Sequence, residues 1–294
     1  MRGMNRVTGA ALLWLLGGVM AAFAQERGLG DVVYVPTPDV VVEEMLTMAK
    51  VGPNDFLIDL GSGDGRVVRV AAKKFGARGF GVDLSDDLLR EANALAISDG
   101  VSDRARFVKQ NLFDTDLNQA TVITTYLLPQ MNERLRPKIL ALKPGTRVVA
   151  HDYSMGDWYP DEQKTLIVPE KKVGNPGISY IFHWVVPALA AGVWQSTLNI
   201  DGKDVPYEFT MEQFFQNIDG PARAGGVTGE MRGKMNGENI RFTITGKAAQ
   251  KIVRHEFEGR LAGETITGLA RIGEGAGAKQ VAWNAKRIKR GDLV

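Results

Sequence analysis

A glycine-rich turn between an apolar run and a helical pattern limits the possible folds of this chain more than any other feature. Residues 59–65 read Asp-Leu-Gly-Ser-Gly-Asp-Gly, after the apolar residues 56–58 and before the mostly apolar residues 67–72. A strand that enters such a turn and a helix that leaves it are typical of α/β folds, in which backbone N–H groups face a polar or anionic ligand. Glycine suits the turn because it has no Cβ and adopts positive φ readily. The spacing is G-x-G-x-G, which differs from the G-x-G-x-x-G fingerprint of dinucleotide-binding proteins.

A second acidic residue follows the next predicted strand. Residues 79–82 read Gly-Phe-Gly-Val, and Asp83 comes directly after them. A carboxylate at the end of that strand can accept hydrogen bonds from both hydroxyls of a ribose. Asp59, the glycine turn and Asp83 together therefore predict a site for a ribose-containing ligand at the carboxyl ends of the first two strands.

Strands and helices alternate along the first half of the chain. Turn and capping signals predict helices at residues 39–50, 66–76, 86–100 and 131–142, and apolar runs predict strands at 56–58, 79–83, 106–108, 121–126 and 146–151. Thr37 is expected to be the N-cap of the first helix, with Pro38 at its first helical position. Two more strand-like runs, 165–168 and 178–186, flank a turn at 174–177. This alternation predicts a parallel sheet.

The pattern changes at residues 187–192, after which short alternating segments are separated by glycine turns. Asp201-Gly202 and Asn236-Gly237 are strong hairpin signals. We therefore expect a smaller all-β domain over residues 191–294, a sandwich or a barrel of about six to eight strands. The basic run 286–290 is expected to be the solvated end of its last strand.

The N-terminus has the three parts of a secretory signal peptide. Arg2 and Arg6 precede an apolar stretch, and Ala22-Phe23-Ala24 forms a small-x-small cleavage site. The apolar stretch is short for a bilayer span, which needs ~20 residues. We expect residues 1–24 to be removed and the mature protein to be exported, either periplasmic or secreted. The alternative is an uncleaved segment that anchors the protein to a membrane.

Composition excludes several kinds of site. The 294 residues include no cysteine, which excludes disulfides, thiolate metal sites and cysteine nucleophiles. The three histidines are scattered along the sequence, so we expect no metal site. The formal net charge of +2 gives no sign of the concentrated basic face typical of nucleic-acid binding.

The glycine turn, its leading Asp59 and the later Asp83 resemble motif I and the acidic post-I position of class I S-adenosylmethionine (SAM)-dependent methyltransferases. Within this class, Tyr34-Val35-Pro36-Thr37 and the run 59–68 are similar to the seven-strand protein-lysine methyltransferases, namely the enzymes that act on the ATP-synthase c-ring protein and the non-SET histone-lysine enzymes. The resemblance covers residues 34–154 and no part of the β-rich tail. It departs from those enzymes at the substrate loop, which has no Asn-Pro-Pro-Tyr motif and no paired asparagines.

This resemblance implies a Rossmann-like methyltransferase sheet over residues 25–190, closed by an antiparallel seventh strand, with SAM as the cofactor. Asp59 would orient the turn and approach the methionine amino group, and Asp83 would bind the ribose hydroxyls. Asn111 stands where many relatives have an acidic residue near the adenine amino group, and its amide oxygen could accept the same hydrogen bond. The alternative is that Asn111 is a turn residue. The implied cofactor residues are Thr37, Asp59, Gly61, Gly63, Gly65, Asp83 and Asn111.

Four residues are candidates for the methyl-transfer step. Tyr126 and Pro129 follow the fourth strand, where class I enzymes present residues to the transferring methyl group. His151 and Asp152 come at the end of the fifth strand, on the rim where α/β sheets build sites. A histidine there could accept a proton. The alternative is that both residues cap the strand.

The leading interpretation is a SAM-dependent methyltransferase whose branch suggests a protein lysine as acceptor, with a β-rich domain that positions the substrate or a partner. The alternative is an exported binding protein with a non-catalytic methyltransferase scaffold and a ligand-binding β domain, since SAM is made in the cytosol. The glycine spacing disfavours a third class, the NAD-dependent oxidoreductases. The expected partner is the methyl acceptor, with no nucleic acid, and with membrane contact only if the N-terminal segment is retained.

Overall fold

A sheet of seven strands forms the first half of the computed structural model, which describes residues 33–225, 227–248, 251–273 and 275–291. The strands are β1 (Phe56–Leu60), β2 (Arg78–Asp83), β3 (Ala105–Lys109), β4 (Val122–Thr125), β5 (Arg147–His151), β6 (Glu162–Val168) and β7 (Gly177–Val185). Their order is β3-β2-β1-β4-β5-β7-β6, with β1 to β5 parallel and β7 antiparallel to its neighbours. This order confirms the predicted α/β class and its antiparallel seventh strand. The predicted signal peptide lies outside the described residues.

Four helices pack against this sheet, namely α1 (Asp39–Met48), α2 (Arg66–Phe75), α3 (Asp86–Ser98) and α4 (Pro129–Leu140). The predicted cap of α1 is wrong by one residue. Pro38 occupies the N-cap position, and no side chain caps the helix. The Thr37 hydroxyl lies 3.1 Å from the Nδ1 atom of His151 instead. A long-range contact has therefore replaced the local capping bond that the sequence pattern favours.

Both faces of the sheet are buried. Helices α1, α2 and α3 cover one face, where Val41 and Leu57 belong to one apolar cluster. Helix α4 and the segment after β5 cover the other face, where Ile58, Ile139 and Trp184 belong to a second cluster. The central strands β1 and β4 are buried on both faces, as is usual in parallel sheets, and their few polar residues, such as Asp59 and Thr124, lie toward their carboxyl ends. The loops after β1, β2, β4 and β5 meet at the carboxyl edge of the sheet, which is where α/β folds build their sites.

The second half of the chain is a closed barrel of eight antiparallel strands. The strands are β8 (Gly192–Ile200), β9 (Lys203–Phe214), β10 (Asn217–Ala224), β11 (Val227–Asn236), β12 (Asn239–Ala248), β13 (Lys251–Ala262), β14 (Thr265–Ile272) and β15 (Lys279–Arg290). Of the two predicted hairpins, one turns at Asp201-Gly202 as expected. The other turns at Gly237-Glu238, one residue later than predicted, because Asn236 pairs with Asn239.

Aromatic side chains fill the inside of the barrel. The rings of Phe242 and Phe257 are stacked with their centroids 4.7 Å apart, and Trp283 contacts both rings edge-on. Phe209 lies 5.3 Å from the Phe242 ring. Such a core stabilises the barrel by apolar burial and ring packing. At the height of these four rings, side chains fill the centre of the barrel and leave no open ligand chamber.

The last strand of the barrel anchors the connection between the two domains. The guanidinium of Arg287 donates hydrogen bonds to the carbonyls of Leu189 and Ala191, at 2.8 and 3.1 Å, and lies 4.6 Å above the Trp194 ring. Arg287 is only 8% exposed. The charge pattern of residues 286–290 predicts a solvated strand end. One of its cations, Arg287, is instead buried and holds the segment that connects the two domains.

The barrel contacts the sheet domain at the edge opposite the strand carboxyl ends. Gly237 of the β11–β12 turn accepts a hydrogen bond from Ala188 and packs against Gly145, just before β5 begins. On the same side, the indole N–H of Trp158 donates to Gln216 over 3.0 Å. The barrel is thus joined to the back of the sheet domain. Among the residues described, none of the helices has the length and apolar character needed to cross a bilayer.

Candidate active site

The glycine turn after β1 depends on glycine for two physical reasons. Gly61, Gly63 and Gly65 have φ values of 81°, 53° and 75°, which L-residues with a side chain rarely adopt. A Cβ atom at Gly63 would also overlap the ring of Tyr34, and one at Gly65 would overlap the ring of Phe107. The turn is therefore packed from both sides, and larger residues at these positions would displace the rings that cover it.

Asp59 lies at the carboxyl end of β1 and is buried. It accepts a hydrogen bond from the Thr124 hydroxyl over 2.7 Å. Burial, together with the negative charges of Asp83 and Asp64, raises the pKa of Asp59 to about 7. A buried carboxylate in this position gains from a bound cation, because the cation offsets the lost hydration. Asp59 can therefore bind an ammonium group.

Asp83 is half-buried at the end of β2 and holds the glycine turn in place. Its Oδ2 atom accepts a hydrogen bond from the backbone N–H of Gly63 over 2.9 Å, and its Oδ1 atom accepts one from Ser85 over 3.0 Å. A carboxylate offers about four lone-pair positions. Asp83 can therefore accept bonds from ligand hydroxyls while it keeps the turn in position.

These residues border a cavity of about 110 Å³ at the carboxyl edge of the sheet. Of the predicted cofactor residues, Thr37, Asp59, Gly61 and Asp83 line it. The hydroxyls of Ser62 and Thr125, which also line it, are buried without a hydrogen-bond partner. Carboxylates for an amine and a ribose, a bare glycine turn and two unsatisfied hydroxyls suit the polar groups of SAM. The cavity is smaller than the about 300–1,000 Å³ of a typical small-molecule pocket, and residues 33–37, which include Tyr34, form part of its wall.

The side chains of Asn111 and Thr37, two of the predicted cofactor residues, form hydrogen bonds within the protein. Asn111 is exposed and does not line the cavity. Its side-chain oxygen accepts a hydrogen bond from the N–H of Phe113 over 2.9 Å, so it forms the turn that the alternative interpretation described. Thr37 lines the cavity, but its hydroxyl is paired with His151.

His151 is fully buried beneath the cavity and does not line it. Its ring nitrogens pair with the hydroxyls of Thr37 and Ser179, at 3.1 and 3.0 Å. Burial lowers the pKa of His151 to about 4, and the positive charge of Lys171 acts in the same direction. The imidazole is therefore neutral at physiological pH, and both of its nitrogens are engaged inside the protein.

Asp152 is also enclosed. Its Oδ1 atom accepts a bond from the N–H of Tyr180 over 3.1 Å, and its Oδ2 atom accepts bonds from the Tyr126 hydroxyl, 3.2 Å away, and from the Lys171 ammonium. Its side chain has no exposed surface. Tyr126, in contrast, is half-buried and lines the cavity, with its ring centroid 4.0 Å from that of His151. Of the four transfer candidates, Tyr126 is the one that faces the cofactor cavity.

Pro129 is the first residue of α4 and does not line the cavity. The residue that connects the two nearby loops is Asn132, whose amide group donates to the carbonyl of Leu127 after β4 and to that of Tyr153 after β5. Asn132 is fully buried. It fixes the loop that carries Tyr126 relative to the loop that carries Asp152.

Sequence reasoning did not assign several residues of this site. Ser62 lies inside the glycine motif, and Tyr34 lies in the segment 34–37 that resembles the protein-lysine methyltransferases. The local sequence could therefore have indicated both as site residues. Lys171 lies 19 residues after Asp152 and has no local signal, because it reaches that carboxylate only through the pairing of β6 with β7. Within the described ranges, no group of three or more His, Asp or Glu side chains could hold a metal ion.

Comparison with known proteins agrees with this geometry. Residues 59–162 match the sequence model of the ANTKMT methyltransferase domain. The chain is 48% identical over 131 residues to a protein-lysine N-methyltransferase of Saccharolobus islandicus, which covers 44% of this chain and 81% of that relative. It is 31% identical over 132 residues to the adenine nucleotide translocase lysine N-methyltransferase of Mus musculus, which covers 44% of this chain and 57% of that enzyme. The chain thus spans little more than half of the mouse relative.

A solved structure is similar as well, an RNA methyltransferase from Salinibacter ruber in complex with S-adenosyl-L-homocysteine. The identity is 44%, the match covers 52% of this chain and 94% of that chain, and the TM-score is 0.47. The family match ends at residue 162, before the barrel begins. Since the chain spans four-fifths of the Saccharolobus islandicus enzyme at 48% identity, it belongs to the family of class I SAM-dependent methyltransferases that includes the protein-lysine enzymes.

Proposed function

We propose that this methyltransferase transfers a methyl group from SAM to the side-chain amine of a protein lysine. The observation that carries the proposal is the cavity in which Asp59, Asp83 and the glycine turn stand beside Tyr126. The lysine acceptors named for the Saccharolobus islandicus and Mus musculus relatives support the acceptor class. The second proposal is an exported binding protein with a non-catalytic methyltransferase scaffold and a ligand-binding barrel; the glycine turn and Asp83 favour the enzyme over it.

Each residue of the site has a role in binding or orientation. SAM, when bound, supplies a methyl group already activated on a sulfonium. Asp59 would hold its amino group, Asp83 its ribose hydroxyls, and the glycine turn would allow close approach of the backbone. The Tyr126 ring would border the sulfonium side of the cavity, where an aromatic face favours positive charge. The protein then contributes orientation and exclusion of water.

A direct test uses the chain from Gln25 onward with isotopically labelled SAM and two peptide libraries, one rich in lysine and one with arginine at the same positions. Transfer to the lysine library alone, located on Nζ by mass spectrometry, supports the proposal. Transfer to neither library, with SAM bound and RNA methylated in parallel, would keep the methyltransferase and overturn the lysine acceptor. Absence of SAM binding by folded protein would overturn both.

The rate should increase with pH if the acceptor is a lysine. His151 and Asp152 are enclosed and paired, so neither can take the proton of an incoming ammonium. The acceptor must then arrive as the neutral amine, and a free lysine has a pKa near ~10.4. At saturating SAM, we expect kcat/KM for the peptide to rise about tenfold per pH unit between pH 7 and 9. A plateau beginning near pH 5 would instead identify His151, with its pKa of about 4, as a working base.

Replacing Asp83 should weaken SAM binding without unfolding the protein. Asp83→Ala removes an acceptor for the ribose and also frees the N–H groups of Gly63 and Ser85. A hydrogen bond to a charged group contributes ~1.5–3 kcal/mol, so we expect Kd to rise by about tenfold to a hundredfold. Titration calorimetry measures this. The matched control is Asp86→Ala, three residues later, which removes an exposed carboxylate paired with Lys109 and should leave Kd unchanged. If Asp83→Ala bound SAM with the same Kd as Asp86→Ala and the parent protein, a role of Asp83 in binding the ribose would be excluded.

We also propose that the protein works outside the cytoplasm after loss of residues 1–24. The support is the signal-peptide pattern of the N-terminus. N-terminal mass spectrometry of protein purified from its own cells should find Gln25 first. Membrane-bound material that still begins with Met1 would replace cleavage by anchoring.

A further inference from the structure

Lys171 is a buried cation that neither lines the cofactor cavity nor has a role in the proposed binding of SAM. It lies in the segment between β6 and β7 and is 6% exposed. Its ammonium pairs with Asp152 and donates to the carbonyl of Ile178 over 2.7 Å. Burial of a lysine is rare unless the charge is paired. The pairing here is with the one carboxylate that also accepts the Tyr126 hydroxyl.

The segment that carries Lys171 also closes over this carboxylate. A Cβ atom placed on Gly174, which has φ 76°, would stand 3.1 Å from Oδ2 of Asp152 and 3.3 Å from the hydroxyl of Tyr126. The N–H of Gly177 donates back to the carbonyl of Lys171 over 3.0 Å. Lys171 and Gly174 therefore both lie against the carboxylate of Asp152.

The three side chains form one chain of contacts that ends in the cofactor cavity. The Lys171 ammonium fixes Asp152, Asp152 accepts the Tyr126 hydroxyl, and the Tyr126 ring lines the cavity. Removing one partner of a buried ion pair leaves the other charge uncompensated. Without the cation, Asp152 would have to turn toward water or rearrange, and the Tyr126 hydroxyl would lose a fixed acceptor.

We propose that Lys171 is a positioning residue for methyl transfer, which holds Tyr126 through Asp152 in the orientation that the acceptor meets. Lys171 itself does not line the cavity, so its effect passes through Tyr126. This inference depends on the proposed function only in giving Tyr126 a place beside the acceptor. It predicts a loss of turnover and a change at the Tyr126 ring, with a smaller change in cofactor affinity, because the Tyr126 ring is one of several groups that line the cavity.

The test compares Lys171→Met, which keeps the apolar stem and removes the charge, with Lys172→Met, which removes an exposed neighbouring charge. We expect Lys171→Met to lower kcat at least tenfold while the Kd for SAM rises by no more than a few-fold, and Lys171→Arg to recover part of the loss. Tyr126→Phe should lower kcat as well, and the double variant should be no worse than the poorer single variant. Additive losses, or an unchanged kcat in Lys171→Met, would overturn the proposal.

A second measurement does not require activity. In protein labelled with ¹³C on tyrosine rings, the Tyr126 signal, assigned by its absence in Tyr126→Phe, should shift or broaden in Lys171→Met and stay unchanged in Lys172→Met. If Lys171→Met does not fold, Lys171→Met/Asp152→Asn removes both charges and should give the same change. An unchanged Tyr126 signal overturns the positioning role. A changed signal in a protein that methylates no lysine supports the positioning role and rejects the lysine acceptor.

Discussion

Asp59→Asn is expected to lose SAM binding about a hundredfold and to melt at a higher temperature than the parent protein at pH 8. The loss follows because the amide cannot neutralise the cofactor ammonium, and a bond to a charged group contributes up to ~3 kcal/mol. The higher melting temperature follows because burial raises the pKa of the Asp59 carboxyl to about 7, and this carboxyl opposes folding once it is ionised. Compared with an Asp of ordinary pKa, the ionised Asp59 lowers the free energy of unfolding at pH 8 by on the order of 4 kcal/mol. Calorimetry and thermal melts measure the two effects.

The sign of the pH dependence separates this explanation from a general effect of mutation. Since the folded-state pKa of Asp59 is raised, its stabilising contribution is full at low pH and is lost as pH rises through about 7. The advantage of Asp59→Asn should therefore shrink as pH falls below about 7 and vanish only below the ordinary Asp pKa of 3.8. Asp55→Asn is the matched contrast, because Arg147, Thr121 and Gly52 lower the pKa of Asp55, and its removal should lower the melting temperature at pH 8. A destabilised Asp59→Asn protein at pH 8 would contradict the buried-charge account.

The same carboxyl makes cofactor affinity depend on pH in the parent protein. Only the ionised form of Asp59 can pair with an ammonium, and its pKa in the free protein is about 7. If binding lowers that pKa well below 6, Kd should be about tenfold weaker at pH 6 than at pH 8. A Kd that is constant over this range would exclude Asp59 as the partner of the cofactor amine.

Gly63→Ala is expected to remove measurable SAM binding. The added methyl group would overlap the Tyr34 ring above the turn, so that ring would be pushed into the space where the cofactor must approach. The residue also has φ 53°, which costs a residue with a side chain about 1–2 kcal/mol. We expect a lower melting temperature together with a Kd at least a hundredfold weaker, both followed by calorimetry.

Gly100→Ala separates the two causes. Gly100 has φ 69° and open space within 4 Å of its Cβ position, so it shares the backbone strain of Gly63 but not the close approach. Gly63→Ala should lose at least as much stability as Gly100→Ala, because it adds the overlap with the Tyr34 ring, while Gly100→Ala keeps the parent affinity for SAM. If both variants lost affinity alike, the effect would come from lowered stability, and the bare turn would have no special part in binding.

Much of the candidate cofactor site could be predicted because its signals are local. Asp59 and the three glycines occupy seven consecutive residues, and Asp83 follows at the end of the next strand, so adjacency in sequence becomes adjacency at one sheet edge. Thr37 and Asn111 show the limit of the same reasoning. The resemblance assigned both to the cofactor. The Thr37 hydroxyl pairs instead with a residue 114 positions away, and the side-chain oxygen of Asn111 closes its own turn.

The transfer side of the site could not be predicted in the same way. Tyr126, His151 and Asp152 are visible as strand-end residues, but whether such a side chain faces the cavity or the interior depends on partners from other elements. Ser179 and Lys171 come from β7 and the segment before it, and they enclose His151 and Asp152. Only Tyr126 keeps a face toward the cavity.

Local sequence patterns were sufficient to predict the order of strands and helices, the glycine turn with its two carboxylates, and the change to an all-β second half. These features follow from periodicity, backbone sterics and residues close together in the chain. Three features became visible only in the folded protein: the barrel closes with eight strands, it joins the sheet at the edge away from the cavity, and a lysine holds Asp152. Those outcomes depend on contacts between distant residues, whose energies are set by burial and charge pairing that no local pattern encodes.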